Sequence, residues 1–305
     1  MSPRIVSLIP SATEIAAALG FADQLVGRSH ECDFPPQVSR LPACSSARLD
    51  INASSGEIDR RVKDVLRNAV SVYDVHTDVL EQLAPDFILT QTQCELCAVS
   101  LKDVQQAVCE LYSSEPEIVA LEPMCLADVW DDILRVATAL DCRTRGEQLV
   151  QQLQQRLDQL KQQTEHLPDR PTLCCIEWTD PLMAAGNWIP ELVELAGGRN
   201  LFGTAGEHSS WLDWPAIQQA DPDVIAIMPC GFDLPRSRRE MAPVISLPGW
   251  ADLRAVREQR VFVTDGNQYF NRPGPRLVES AEILSQVLHP DLFAPEHHGT
   301  GWQRL

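Results

Sequence analysis

Leu80-Glu81-Gln82-Leu83-Ala84-Pro85-Asp86-Phe87-Ile88-Leu89 is echoed by Ile217-Gln218-Gln219-Ala220-Asp221-Pro222-Asp223-Val224-Ile225-Ala226. In each copy a short helical stretch runs into Pro-Asp and an unbroken apolar run follows. Proline disfavours the helical conformation in the residue before it and has no amide to donate, so the helix ends there. The apolar run that follows has the length and composition of a buried strand. A helix, a stop and a buried strand that occur twice predict two lobes of related construction.

Outward from these copies the same grammar continues. Arg4 to Ile9 is a short β-type run that ends at Pro10, and Ser11-Ala12-Thr13-Glu14 has the spacing of a capping box. The pattern predicts a helix over 13–19, a stop at Gly20 and a second strand at Leu25 and Val26. Asp86 to Thr90 and Glu117 to Leu121 read as buried strands, with helical spacing of Leu101, Val104, Val108 and Leu111 between them. A second series follows at Thr172 to Ile176, Val224 to Met228 and Val261 to Val263, and this alternation predicts an α/β fold with parallel sheets. Thr144 to His166 is polar and Gln-rich, with Leu149, Leu153, Leu157 and Leu160 on one stripe. A continuous helix there spans about 34 Å, enough to join two domains or to lie on the surface of one. The expected division is an N-terminal lobe over 1–143, a helix over 144–166, a C-terminal lobe over 167–290 and a loose tail over 291–305.

Composition narrows the function. The 305 residues carry 43 Asp plus Glu against 25 Lys plus Arg, a net charge of −18 that repels phosphate backbones and anionic lipid surfaces. No nucleic acid is expected as a partner. No apolar run approaches the roughly 18 residues of a membrane span, so no membrane insertion is expected. The opening Met1-Ser2-Pro3-Arg4 lacks the pattern of a signal peptide, and a cytoplasmic location is expected on that reading. The ten cysteines are scattered through a long chain, which predicts reduced thiols rather than a disulfide framework.

Several segments resemble one family. Arg4 to Ile15, Cys32-Asp33-Phe34-Pro35-Pro36 and Leu83 to Leu89 are similar to the first lobe of the periplasmic cobalamin-binding and iron-siderophore-binding proteins, the substrate-binding components of ABC importers. Glu177 to Leu182, Trp188 to Gly198, Pro229 to Phe232 and Asp265 to Leu277 resemble the vitamin B12-binding subgroup more closely. The resemblance covers nearly the whole chain. It implies a class III substrate-binding protein: two Rossmann-like lobes joined by one long rigid helix, a role that falls to 144–166, with ligand held between the lobes. It also implies no enzyme activity, a small-molecule metal chelate as ligand and an ABC permease as candidate partner. Relatives in this subgroup tend to carry His where this chain has Asn187, so the resemblance offers no axial imidazole from that position.

A corrin or porphyrin ring is a wide apolar face with a polar rim, and a receptor for it needs aromatic platforms and a few rim donors. Four of the seven tryptophans lie between 178 and 214. Trp178, Trp188, Trp214, Tyr269 and Phe270 fall at predicted strand ends or loops of the second lobe, and Tyr73 falls in the first. Each is also what a core aromatic looks like. The resemblance favours Trp214, Tyr269 and Phe270 in the cleft with Tyr73 opposite. Asn267, Asn271 and Arg272 stand beside these rings as rim donors, or Arg272 braces its Pro/Gly-rich turn. Cobalamin or another corrinoid is the expected ligand, with haem and zinc as alternatives.

Cys94-Glu95-Leu96-Cys97 offers two thiols at chelating spacing, with His30 and Cys32 as candidates to complete a metal site. One C-x-x-C is half a zinc site, so a transition-metal or thiol-dependent role for this loop is the rival reading. Cys174 and Cys175 are adjacent within a strand, where they face opposite ways and cannot chelate jointly. No nucleophile elbow, phosphate loop or zinc-protease motif is present, and the histidines show no triad-like spacing.

Overall fold

The computed structural model describes residues 2–50, 52–67, 72–92, 100–111 and 113–305, and the chain divides into two compact units. Unit 1 comprises Met1–Ala53, Glu57–Pro123 and Ala127–Gln152, and unit 2 comprises Ser54–Gly56, Met124–Leu126 and Leu153–Leu305.

The first unit runs through β1 (Ile5–Ser7), α1 (Pro10–Ala16), β2 (Leu25–Arg28), β3 (Ser45–Ala47), α2 (Ser55–Arg67) and β4 (Tyr73–Val75). Then come α3 (Thr77–Leu83), β5 (Phe87–Gln91), α4 (Leu101–Cys109), β6 (Glu117–Leu121) and α5 (Leu126–Ala139). Four strands form a parallel sheet in the order β2-β1-β5-β6, while β3 and β4 pair antiparallel beside it. Val6 and Ile88 of the sheet, with Leu8 just past β1, pack with Leu80 of α3 and Val104 and Ala107 of α4. This is the buried face that the apolar runs predict.

One local expectation fails. α1 begins at Pro10, not Thr13, because proline with its preset φ and missing amide suits the first helical position. Ser11 is therefore inside the helix and cannot cap it; its hydroxyl is buried without a hydrogen-bond partner, and Glu14 is a buried helix residue rather than half of a capping box.

α6 (Arg143–Thr164) is one unbroken helix, and the division between the units at 152/153 falls inside it. Leu153, Leu157 and Leu160 are buried along one stripe, as their spacing requires.

Unit 2 continues with β7 (Thr172–Thr179), β8 (Leu182–Ala184), α7 (Ile189–Leu195), β9 (Arg199–Asn200), β10 (Ser210–Trp211) and α8 (Trp214–Ala220). It ends with β11 (Val224–Ile227), α9 (Leu234–Arg239), α10 (Ala242–Ile245), α11 (Arg254–Arg257), β12 (Val261–Thr264), α12 (Leu277–Leu288) and β13 (Trp302–Arg304). The sheet order is β10-β8-β7-β11-β12-β13, with β9 also paired to β7. β7, β11 and β12 run parallel, β8 and β13 run antiparallel to β7 and β12, and β10 pairs antiparallel with β8. Residues 291–305 are thus not a loose tail: β13 pairs with β12 in the register Phe262↔Arg304, and the Trp302 indole donates to Gln286 Oε1 at 2.9 Å.

The echo has a common geometry. Ala84 and Asp221 both end their helices in the left-handed region, each at φ 41°, donating back to the carbonyls of Leu80 and Ile217. After the proline, Asp86 accepts the Arg4 amide at 2.8 Å and Asp223 accepts the Thr172 amide at 2.8 Å. Each aspartate ties its own strand to the start of the neighbouring one, β5 to β1 and β11 to β7. Among the described residues no helix is long and apolar enough to cross a membrane.

Candidate ligand-binding site

In parallel α/β sheets ligands bind beyond the carboxyl ends of the strands. In unit 2 those ends belong to β7, β11 and β12, and each leads into a loop that carries aromatic or amide side chains. Trp178, near the end of β7, is partly exposed; its indole donates to the Asp180 carbonyl at 3.1 Å and its ring lies 5.1 Å from Phe232. Phe232 follows β11, is itself buried, and has the Arg236 guanidinium 3.7 Å above its ring. Trp178, Phe232 and Arg236 form a short stack at the edge of the sheet.

The loop after β12 is built on Asp265. Its buried carboxylate accepts the amides of Asn267 at 3.1 Å and Gln268 at 2.8 Å and the Gln268 side chain at 3.0 Å. Burial pushes the Asp265 carboxyl up, and the three bonds oppose that push without cancelling it. Gly266 lies so close to the end of β11 that a Cβ there would stand 2.1 Å from the Pro229 carbonyl oxygen. Only glycine permits that approach. The loop leaves Tyr269 partly exposed, with Arg276 5.4 Å from its ring centre.

The other second-lobe candidates hold this loop. Trp188 is buried and donates to the Phe270 carbonyl at 2.7 Å. Phe270 is fully buried at φ 63°, with its amide bonded to Ser280 Oγ at 3.0 Å. Asn271 donates to the carbonyls of Met228 at 2.9 Å and Gly266 at 3.0 Å, and Arg272, 5% exposed, bonds Asn267 Oδ1 at 3.1 Å. Trp214 stacks on Trp250 at 6.1 Å beside the core of the sheet and donates to the Pro248 carbonyl at 2.8 Å. Of the predicted residues in unit 2, the structure therefore brings Trp178 and Tyr269 to the strand ends with rings partly open; Trp214 is partly open too, but at the start of α8, and Trp188, Phe270, Asn271 and Arg272 are engaged in internal bonds. Asn187 sits at φ 51°, a conformation Asn tolerates, with its amide bonded to the Glu207 carbonyl at 2.6 Å. Glu191 accepts the Leu126 amide at 2.8 Å.

In unit 1, Tyr73 is 7% exposed and packs in the core, with the His30 ring 5.5 Å away. His30 Nδ1 lies 3.0 Å from Ser45 Oγ, and burial, with the charges of Arg28 and His76 adding to it, holds the imidazole below its ordinary pKa. Cys32 is buried beside Thr13, whose hydroxyl donates to its sulfur at 3.0 Å. His30 and Cys32 thus serve different partners, and no group of three or more metal-ligating side chains occurs among the described residues. Cys94 and Cys97 lie outside the described residues.

Sequence reasoning missed Asp265, Phe232 and Arg236 as parts of this edge. The run Asp265-Gly266-Asn267-Gln268 carried a signal for the first, since an aspartate before glycine and amides commonly folds back on its own loop. Nothing local to 232–236 marks that stack.

Comparison with known proteins agrees with this construction. The family described as Periplasmic binding protein matches residues 5–268. An uncharacterized ABC transporter substrate-binding lipoprotein of Bacillus subtilis is 23% identical over 296 residues, covering 95% of this chain and 81% of the relative. A vitamin B12-binding protein of Vibrio cholerae is 23% identical over 302 residues, covering 93% of this chain and 88% of the relative. Among solved structures, the periplasmic heme-binding protein of Roseiflexus sp. RS-1 superposes with a TM-score of 0.70 at 21% identity, covering 95% and 99% of the two chains, a likeness of fold. These relatives are periplasmic or lipoproteins, which overturns the expected cytoplasmic location. The match over most of the chain makes this an α/β member of the periplasmic binding protein family, a substrate-binding protein and not an enzyme.

Proposed function

We propose that the protein captures a flat metal chelate of the tetrapyrrole class outside the cytoplasm, a corrinoid first and haem second, and delivers it to an ABC permease. The observation that carries this reading is the pair of partly open rings, Trp178 and Tyr269, at the carboxyl ends of β7 and β12. Aromatic faces at strand ends suit a wide apolar ring. The named ligands of the relatives, vitamin B12 and heme, support the class. Their periplasmic and lipoprotein character supports an extracytoplasmic place of work.

The test is a titration of purified protein with cyanocobalamin, haemin and zinc, followed by tryptophan fluorescence and visible absorbance. One-to-one saturation by cyanocobalamin is the expected result. Saturation by haemin alone moves the assignment to haem, and saturation by zinc alone, or by none of the three, ends it.

A further inference from the structure

We propose that His297 is a positioning residue that sets the pose of the Tyr269 ring, which makes the C-terminal segment part of the ligand-binding apparatus. The second half of that statement rests on the reading that Tyr269 meets the chelate; the first half does not.

His297 is the node through which residues 289–305 hold the loop after β12. Its imidazole approaches the Tyr269 ring edge to face, at 6.1 Å and 72°. Its Nε2 lies 3.5 Å from Glu282 Oε2 on α12. Its amide donates to Gln286 Oε1 at 3.1 Å, the same oxygen that receives the Trp302 indole, so one glutamine pins two points of the segment. Its carbonyl accepts the Gly301 amide at 2.7 Å, and the Gly301 carbonyl accepts the Asp265 amide at 2.9 Å. Asp265 is the residue on which the ligand-side loop is folded. The His297 ring thus meets Tyr269 directly, and its carbonyl is linked through Gly301 to Asp265, the other end of the same short stretch.

Charged groups surround the imidazole from several elements. On α12 it faces Glu282; from α6, Arg156 bonds Glu282 at 2.8 Å and Glu279, one turn earlier on α12, at 3.1 Å. From the loop, Arg276 approaches the same Tyr269 ring; along its own segment Glu296 and His298 are its neighbours. Burial raises the Glu282 carboxyl, but the bonds from His297 and Arg156 outweigh it, so the group stays ionised below the ordinary range. An imidazole between that carboxylate and an aromatic ring is held at both ends. Removing it therefore changes how firmly the Tyr269 ring is held.

The chain has three tyrosines, so 3-fluorotyrosine labelling gives three fluorine resonances, and Tyr269→Phe identifies the one wanted. In ligand-free protein His297→Gln, which keeps the backbone anchors and a polar side chain, should shift and broaden the Tyr269 resonance while the other two tyrosine resonances keep their positions and widths. A Tyr269 resonance with the same position and width in His297→Gln as in the wild type overturns the proposal whatever the ligand is. With cyanocobalamin, His297→Gln should weaken binding by about three- to tenfold, the scale of one lost ring contact. The same substitution made on top of Tyr269→Leu should add no further loss. Equal losses in both backgrounds would show that His297 acts elsewhere and would overturn it. Fluorine coupling without any effect of Tyr269→Leu on cyanocobalamin binding would leave the positioning role standing and refute the ligand role of Tyr269.

Discussion

The Trp188 indole donates its one hydrogen bond to the carbonyl of Phe270, at 2.7 Å, and both side chains are buried. Two residues that a sequence reader assigns to ligand contact are in contact with each other. The bond joins the start of α7 to the loop that carries Tyr269, so it acts on the site through position rather than touch.

Trp188→Phe keeps most of the volume and removes the donor, leaving a buried carbonyl unpaired. The expected cost to folding stability is about 1–3 kcal/mol, read as a shift in the urea midpoint. A midpoint equal to that of the wild type would show that water or a relaxed backbone replaces the bond.

Trp178 and Trp214 are both partly exposed, but their places differ. Trp178 lies near the end of β7 against Phe232, whereas Trp214 starts α8, stacks on Trp250 beside the core and bonds Pro248. Trp178→Ala is expected to weaken cyanocobalamin binding by about 1–3 kcal/mol while folding stability changes little. Trp214→Ala should show the reverse pattern, a loss of about 2–4 kcal/mol in stability with affinity nearly kept in the folded fraction. Titration and denaturation of the two variants side by side check this, and an exchange of the two effects would move the binding face to α8.

Asp132 gives unit 1 a signature in pH. Burial pushes its carboxyl up to about 7; Arg135 and the Glu122 amide pull the other way, and Asp128 and Asp131 add to the rise. Burial wins because Asp132 is 2% exposed while its partner Arg135 is 48% exposed and well hydrated. The folded state therefore holds this proton more tightly than the unfolded chain, where the pKa is about 4. The contribution to stability is complete below that value and is lost as pH rises to about 7. Asp132→Asn removes the titration, so its stability relative to the wild type should improve steadily between these limits. Urea midpoints across that range that run parallel for the two proteins would contradict it.

The thiols bear on where the protein can work. Cys174 and Cys175 are fully buried in β7; burial alone pushes the Cys174 thiol up to about 12, and Cys175 rises well above its ordinary value, chiefly by burial. Neither offers a thiolate for oxidation or metal binding at neutral pH. Cys109 is exposed. Alkylation of native protein followed by peptide mass spectrometry should label Cys109 readily and Cys174 and Cys175 only after denaturation. Labelling of the β7 pair in native protein would mean that the sheet opens on the timescale of the reaction.

What the amino-acid order determined by itself was the periodic part of this protein. The two Pro-Asp stops, the strands that follow them and the leucine stripe of α6 are properties of neighbours along the chain, because backbone preference and side-chain period act over a few residues. Even there, a single proline moved the start of α1 and removed the expected cap. Tertiary structure alone decided which rings stay open. Trp178 and Trp188 are alike as letters, but one ends a strand and the other finds a carbonyl 82 residues away. Likewise the last residues become a strand because β12 offers them an edge far back in the chain. Donors and acceptors pair in space, and a short polar segment carries no record of which distant edge it will meet.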